Sequence, residues 1–191
     1  MKTQKRSMAK KTLGIILTGI TLLSAFGGDN SGQKVTGDIK IWSAPSFVKI
    51  FQDKDYSTME EYSSYYTNGT FNVSMYKNER EAGQIILTPT ADVEEYSLSL
   101  SKLLSADGKE LSKETMTVYN QKYVDVSIPS KSQTNSTLGM TPDALLPYDT
   151  AVAYGENTGK ANQNQGLVVE IKASEETEAG VYTGTFKLKA D

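Results

Sequence analysis

Carboxylates, ring hydroxyls and side-chain amides are the chemistry-bearing groups of this chain, because it contains neither cysteine nor histidine. That absence removes thiolate nucleophiles, imidazole bases, Ser-His pairs and Cys/His zinc sites in one stroke. Glu79 and Glu81 lie close together in Asn78-Glu79-Arg80-Glu81. Hydrolysis of a glycosidic bond needs two carboxyls facing each other across a sugar, about 5–10 Å apart. Two acids on one face of one loop sit side by side instead, so the expected role is capping a hairpin by accepting backbone hydrogen bonds.

Other groups suggest binding. Tyr62, Tyr65 and Tyr66, with Tyr56 nearby, sit in a Ser/Glu-rich stretch, and exposed rings of this kind stack on sugar faces. Asn162, Gln163, Asn164 and Gln165 offer amide donors and acceptors suited to sugar hydroxyls, or else form a polar loop before a strand. Asp53 and Asp55 form an Asp-x-Asp pair. A Ca²⁺ ion could use them, though it needs six or more oxygens; no other cofactor is expected. Asp143, between Pro142 and Ala144-Leu145-Leu146-Pro147, reads as a structural cap or a contact at a domain interface, and Glu81 and Pro147 share that structural or interdomain reading.

These residues must be held by strands. Phe71, Val73 and Met75 alternate with polar neighbours, as do Tyr96, Leu98 and Leu100; Val124, Val126 and Ile128; Leu167, Val169 and Ile171; and Tyr182, Phe186 and Leu188. A period of two with one apolar face per strand is the pattern of antiparallel sheets. Further strands are expected at Ile39–Trp42, Phe47–Phe51, Gln84–Thr88 and Met116–Tyr119, with Trp42 in the core. Short helical turns are expected near Ser57–Tyr62 or Pro142–Leu145. Turn signals at Asn68-Gly69, Asp107-Gly108, Gly155 to Gly159 and Glu178-Ala179-Gly180 separate the runs. The fold class expected is all-β: an antiparallel β-sandwich, Ig-like or galactose-binding-like, preceded by a signal-peptide helix.

The N-terminus has leader composition. Lys2, Lys5, Arg6, Lys10 and Lys11 precede an apolar run from Leu13 to Phe26 and a small-residue exit at Gly27-Gly28. That run is short for a membrane span of about 20 residues. Residues 1–28 are therefore expected to be a signal peptide, with an uncleaved N-terminal anchor as the alternative. Residues 29–37 then form a flexible linker and 38–191 the sandwich domain. The protein is expected to be secreted or at the cell surface, and not lipid-anchored, since the lipid needs a cysteine. Five of the 20 basic residues lie in 1–28, which leaves 15 against 23 acids. Such an acidic domain repels phosphate backbones, so nucleic acid is not an expected partner.

Three stretches carry a family resemblance: Asn78 to Gln84 leading into Ile85-Ile86-Leu87-Thr88-Pro89; Met140 to Pro147; and Asn164-Gln165-Gly166-Leu167-Val168-Val169 running on to Gly180-Val181-Tyr182-Thr183-Gly184-Thr185-Phe186. Their order and spacing resemble the N-terminal domain of glycoside hydrolase family 123-like bacterial surface proteins. The resemblance implies a C-terminal catalytic (β/α)₈ barrel as partner, with neighbouring Asp and Glu residues at its active centre. No Asp-Glu dipeptide occurs in this chain, so no catalytic residue carries over, and the chain itself is not expected to be an enzyme. What it implies is a non-catalytic accessory domain packing against that barrel. The alternatives are an independent carbohydrate-binding module holding polysaccharide, or a structural cell-surface module.

Overall fold

The computed structural model describes residues 13–22, 38–56, 71–111, 115–128 and 138–190, the first of these by backbone alone. Eleven strands and one short helix follow in order among them: β1 (Leu13–Leu22), β2 (Ile39–Pro45), β3 (Phe71–Met75), β4 (Arg80–Pro89), β5 (Tyr96–Leu100), β6 (Leu103–Ser105), β7 (Glu110–Leu111), β8 (Met116–Val126), β9 (Gly139–Pro147), α1 (Tyr148–Ala153), β10 (Gln165–Lys172) and β11 (Val181–Ala190).

They form two sheets. The first has the order β3-β1-β11-β6-β7, with β5 also paired to β11; the second has the order β2-β4-β10-β8-β9. Every pairing between named strands is antiparallel except β1 with β11, which is parallel from Gly14↔Val181 to Leu22↔Leu188 with an irregularity between Leu17 and Ile20. This is the β-sandwich that the period of two requires.

Alternation decides what each face does. Leu167, Val169 and Ile171 of β10 and Ile85 and Leu87 of β4 meet Val73 and Met75 of β3 and Tyr182, Phe186 and Leu188 of β11 in one buried cluster between the sheets. Ile86 points the other way, into a second cluster with Trp42, Ala44, Ile50 and Tyr56. Covering by residues 46–56 thus makes part of the outer face of the second sheet a small second core. Burying side chains of this size is worth about 1.5–3 kcal/mol each, so this segment is held firmly on the sheet.

Three local expectations give way. Leu13–Leu22 forms a strand where a signal-peptide helix was expected. An apolar run this short fits either conformation by periodicity; Ile15, Ile16, Thr18, Ile20 and Thr21 are β-branched, and neighbours on both edges suit a continuous apolar strand. Pro142–Leu145 lies inside edge strand β9, not in a helical turn. Pro142 is tolerated there because one side of an edge strand needs no ladder donor. The only helix among the described residues starts just after it, at Tyr148. Phe47–Phe51 is no strand: Val48 N–H closes a turn on Pro45 O at 3.2 Å, and the chain folds back over the sheet. The other expected helical turn, Ser57–Tyr62, lies outside the described residues. Trp42 is buried, as its strand spacing indicated.

Candidate functional site

The outer face of the second sheet carries a seam of polar side chains that binds the 46–56 segment down. Gln84, on β4 between inward-facing neighbours, is 1% exposed. Its Nε2 donates to the carbonyls of Pro45 and Val48 at 2.6 and 2.7 Å. Gln121 on β8 donates its own Nε2 to Gln84 Oε1 at 3.0 Å. Further along, Trp42 Nε1 donates to Thr88 Oγ1 at 3.0 Å, and that hydroxyl donates to Asn164 Oδ1 at 2.7 Å. Asn164 Nδ2 then donates to the carbonyls of Phe51 and Lys54 at 2.9 and 2.8 Å. The Tyr56 hydroxyl accepts from Phe51 N–H at 2.9 Å and donates to Lys49 O at 3.3 Å. Buried polar groups cost free energy unless paired, and this network pairs nearly all of its members.

Gln121 Oε1 is the exception. It is buried and meets no donor among the described residues. The side chain is about nine-tenths buried and lies across Gly166 of β10, so closely that a Cβ there would fall 1.7 Å from Oε1. The adjoining Tyr123 hydroxyl accepts from Gly166 N–H at 3.0 Å. Burial pushes the Tyr123 phenol above its ordinary pKa, against the opposing effect of that hydrogen bond.

Beside Gln121 the face opens into a groove of about 490 Å³. One wall is the turn after β2, with Val48 and Lys49; the other is β9, with Asp143 and Leu145. Val168 and Glu170 of β10 and the ring of Tyr119 on β8 line the rest. Glu170 is held by Arg80 at 2.5 Å. The surface is an apolar floor with a rim carrying both charge signs.

The candidates from the sequence fall in several places. Asp143 reaches the groove, while Pro147 is exposed at the junction of β9 and α1. Glu79 caps a turn, though not the expected hairpin, since β3 and β4 belong to different sheets: its Oε2 accepts Tyr76 N–H at 2.6 Å, and its own N–H reaches Tyr76 O at 3.3 Å. Glu81 is exposed at the start of β4. Asn164 and Gln165 are committed internally: Gln165 Nε2 donates to Asn120 Oδ1 at 2.5 Å and to Gln121 O at 3.0 Å. Asn162 is exposed in a turn with φ 59°, its N–H on Pro89 O at 2.7 Å. Asn162 and Asn164 both line a second groove of about 450 Å³ with Trp42, Tyr56 and Lys54, whereas Gln165 is not among its lining residues. Tyr62, Tyr65 and Tyr66 lie outside the described residues. The Asp53 carboxylate lies against Gly139, and no group of three or more acidic, His or Cys residues that could hold a metal occurs among the described residues. Sequence reasoning missed Gln84 and Gln121. The available signal was an outward-facing glutamine in Gln84-Ile85-Ile86-Leu87, where a long amide must find partners if it is covered.

Comparison with known proteins gives one family. The model described as the glycoside hydrolase 123 N-terminal domain matches residues 51–190. No curated protein matches. Among solved structures, the chain is similar to a family 123 glycoside hydrolase from Clostridium perfringens, studied for glycolipid glycan hydrolysis, at a TM-score of 0.42 and 14% identity. The similarity covers 60% of this chain and 19% of that one, so the chain spans about a fifth of that enzyme.

Proposed function

The chain belongs to the glycoside hydrolase 123 N-terminal domain family, and from that premise we propose that it is the non-catalytic accessory domain of a secreted or cell-surface glycoside hydrolase, packed against a catalytic barrel. The observation that carries this reading is the span of the match, from before β3 to the end of β11, which takes in most of both sheets. The fate of the sequence's carboxylate candidates agrees with it. Glu79 is spent on the turn between β3 and β4 and Glu81 stands exposed at the start of β4, so neither faces a partner across a cleft as glycoside hydrolysis demands. The leader-like N-terminus supports export.

The test is enzymatic and physical together. The chain is assayed on aryl glycosides alone, and a family 123 catalytic domain is produced with and without this chain in one polypeptide. The expected result is no hydrolysis by the chain alone and a higher melting temperature for the joined protein's catalytic domain. Turnover by the chain alone, or a catalytic domain indifferent to its presence, refutes the reading.

A further inference from the structure

We propose that the groove beside Gln121 is a binding subsite for a neutral glycan. Its lining selects the ligand class. An apolar floor at Val168, flanked by the half-buried Tyr119 ring, suits the C–H face of a sugar. Lys49 on one wall and Asp143 and Glu170 on and beside the other supply donors and acceptors for hydroxyls. Because the rim carries both signs, neither a polyanion nor a polycation is favoured over a neutral polyhydroxylated molecule. The volume, about 490 Å³, lies within the usual range of small-ligand sites, about 300–1,000 Å³.

Gln121 supplies an independent pointer. Gln121 is among the residues lining the groove, its nitrogen is used on Gln84, and its buried carbonyl oxygen, set against Gly166, is left without a donor among the described residues. Buried acceptors are rarely left so. The absence of a Cβ at Gly166 is what lets the amide lie there at all. The site differs from the Asn162–Gln165 cluster that composition alone suggested, since none of those residues lines this groove and Asn162 and Asn164 line another.

The choice of a glycan over other amphipathic ligands rests on the family membership, not on packing against a barrel, so this test and the preceding one fail independently. The full chain is screened on an array of neutral oligosaccharides printed beside their sialylated and sulfated forms. The best-bound neutral oligosaccharide is then titrated into the isotope-labelled chain by NMR. The expected result is binding of neutral members, with shifts centred on Tyr119, Gln121, Leu145 and Val168. Tyr119→Ala should weaken binding about tenfold or more, the scale of losing a stacking ring. Exposed Asp143→Asn should weaken it several-fold with the melting temperature unchanged, which keeps the test valid if Tyr119→Ala folds poorly. No binding at about 10 mM, a weak-site ceiling below the millimolar affinities of ordinary ligands, overturns the proposal. Shifts centred on Asn162, or retention of anionic glycans alone, overturn it as well.

Discussion

Replacing Asn164 with alanine separates a structural amide from a ligand-binding one. Asn164 is 4% exposed. It accepts from Thr88 Oγ1 and donates to the Phe51 and Lys54 carbonyls at 2.7, 2.9 and 2.8 Å. Three hydrogen bonds at about 0.5–1.5 kcal/mol each give a loss of roughly 3 kcal/mol, since the two carbonyls are left short of a donor. For a domain of this size each kcal/mol moves the melting point by about 2–4 °C, so the expected fall is about 6–12 °C. Urea unfolding should show a lower midpoint with the slope unchanged, because the area exposed on unfolding is the same. Asn164→Asp should rescue none of it: a carboxylate would face the two carbonyls that now receive N–H groups. Asn162→Gly, at an exposed position of positive φ, should be close to neutral. A melting point for Asn164→Ala within about 2 °C of the parent, less than 1 kcal/mol on this scale, would refute the claim that this amide pins the 46–56 segment.

Alkaline pH should be the domain's weak flank. Burial pushes the Tyr148 phenol up to about 12 and raises Tyr96 and Tyr123 as well. A raised folded pKa means the folded state holds its proton longer, so the contribution is complete below the unfolded value near 10 and is lost as pH climbs from about 10 through about 12. Urea midpoints between pH 8 and 11.5 should be flat at first and fall beyond about pH 10, with no histidine inflection near neutrality. Gly184→Ala should cost about 1–3 kcal/mol, because the new Cβ would stand 2.7 Å from Leu103 Cδ2 and 3.2 Å from Lys102 O; calorimetry checks it. Glu79→Ala removes one exposed hydrogen bond and should lower stability by under about 1 kcal/mol, visible as faster amide exchange at Tyr76.

What the sequence disclosed follows from which forces act locally. The alternating runs of β3, β5, β10 and β11 were readable because one buried face per strand writes itself as alternation, whereas β1, β6, β7 and β9 were not read as strands, and Val124 and Ile128 alternate yet stand exposed. Trp42 is buried for a different reason: it stands on the outer face with Ile86 and is covered by Ile50 and Tyr56. The fate of Phe47–Phe51 was not readable: its apolar residues cover a sheet's outer face from a folded-back turn, and covering leaves no period. Pro142 to Leu145 misled because two prolines resemble helix punctuation, while an edge strand tolerates them equally. The amides at 162–165 looked alike in sequence. Their roles diverge because Asn162 sits in a turn, while Asn164 and Gln165 stand where neighbouring carbonyls and Asn120 can claim them. Tyr119 and Gln121 come from β8, Asp143 from β9 and Val168 from β10, so only the register of these three strands brings the groove together.

The placement of β1 bears on the timing of folding. It pairs in parallel with β11, from the far part of the sequence, and antiparallel with β3, and it is the strand that joins β3 to the rest of its sheet. Contacts so distant along the chain close late, because loop entropy is spent before they return any energy. That sheet therefore cannot be completed on a nascent chain until β11 has emerged. The same wiring sets a cost on any loss of the N-terminal segment. Release of residues 1–28 leaves β3 and one side of β11 with bare ladder groups, and such edges recruit strands from neighbouring molecules. Self-association that appears on trimming the N-terminus would be the outward sign of that vacancy.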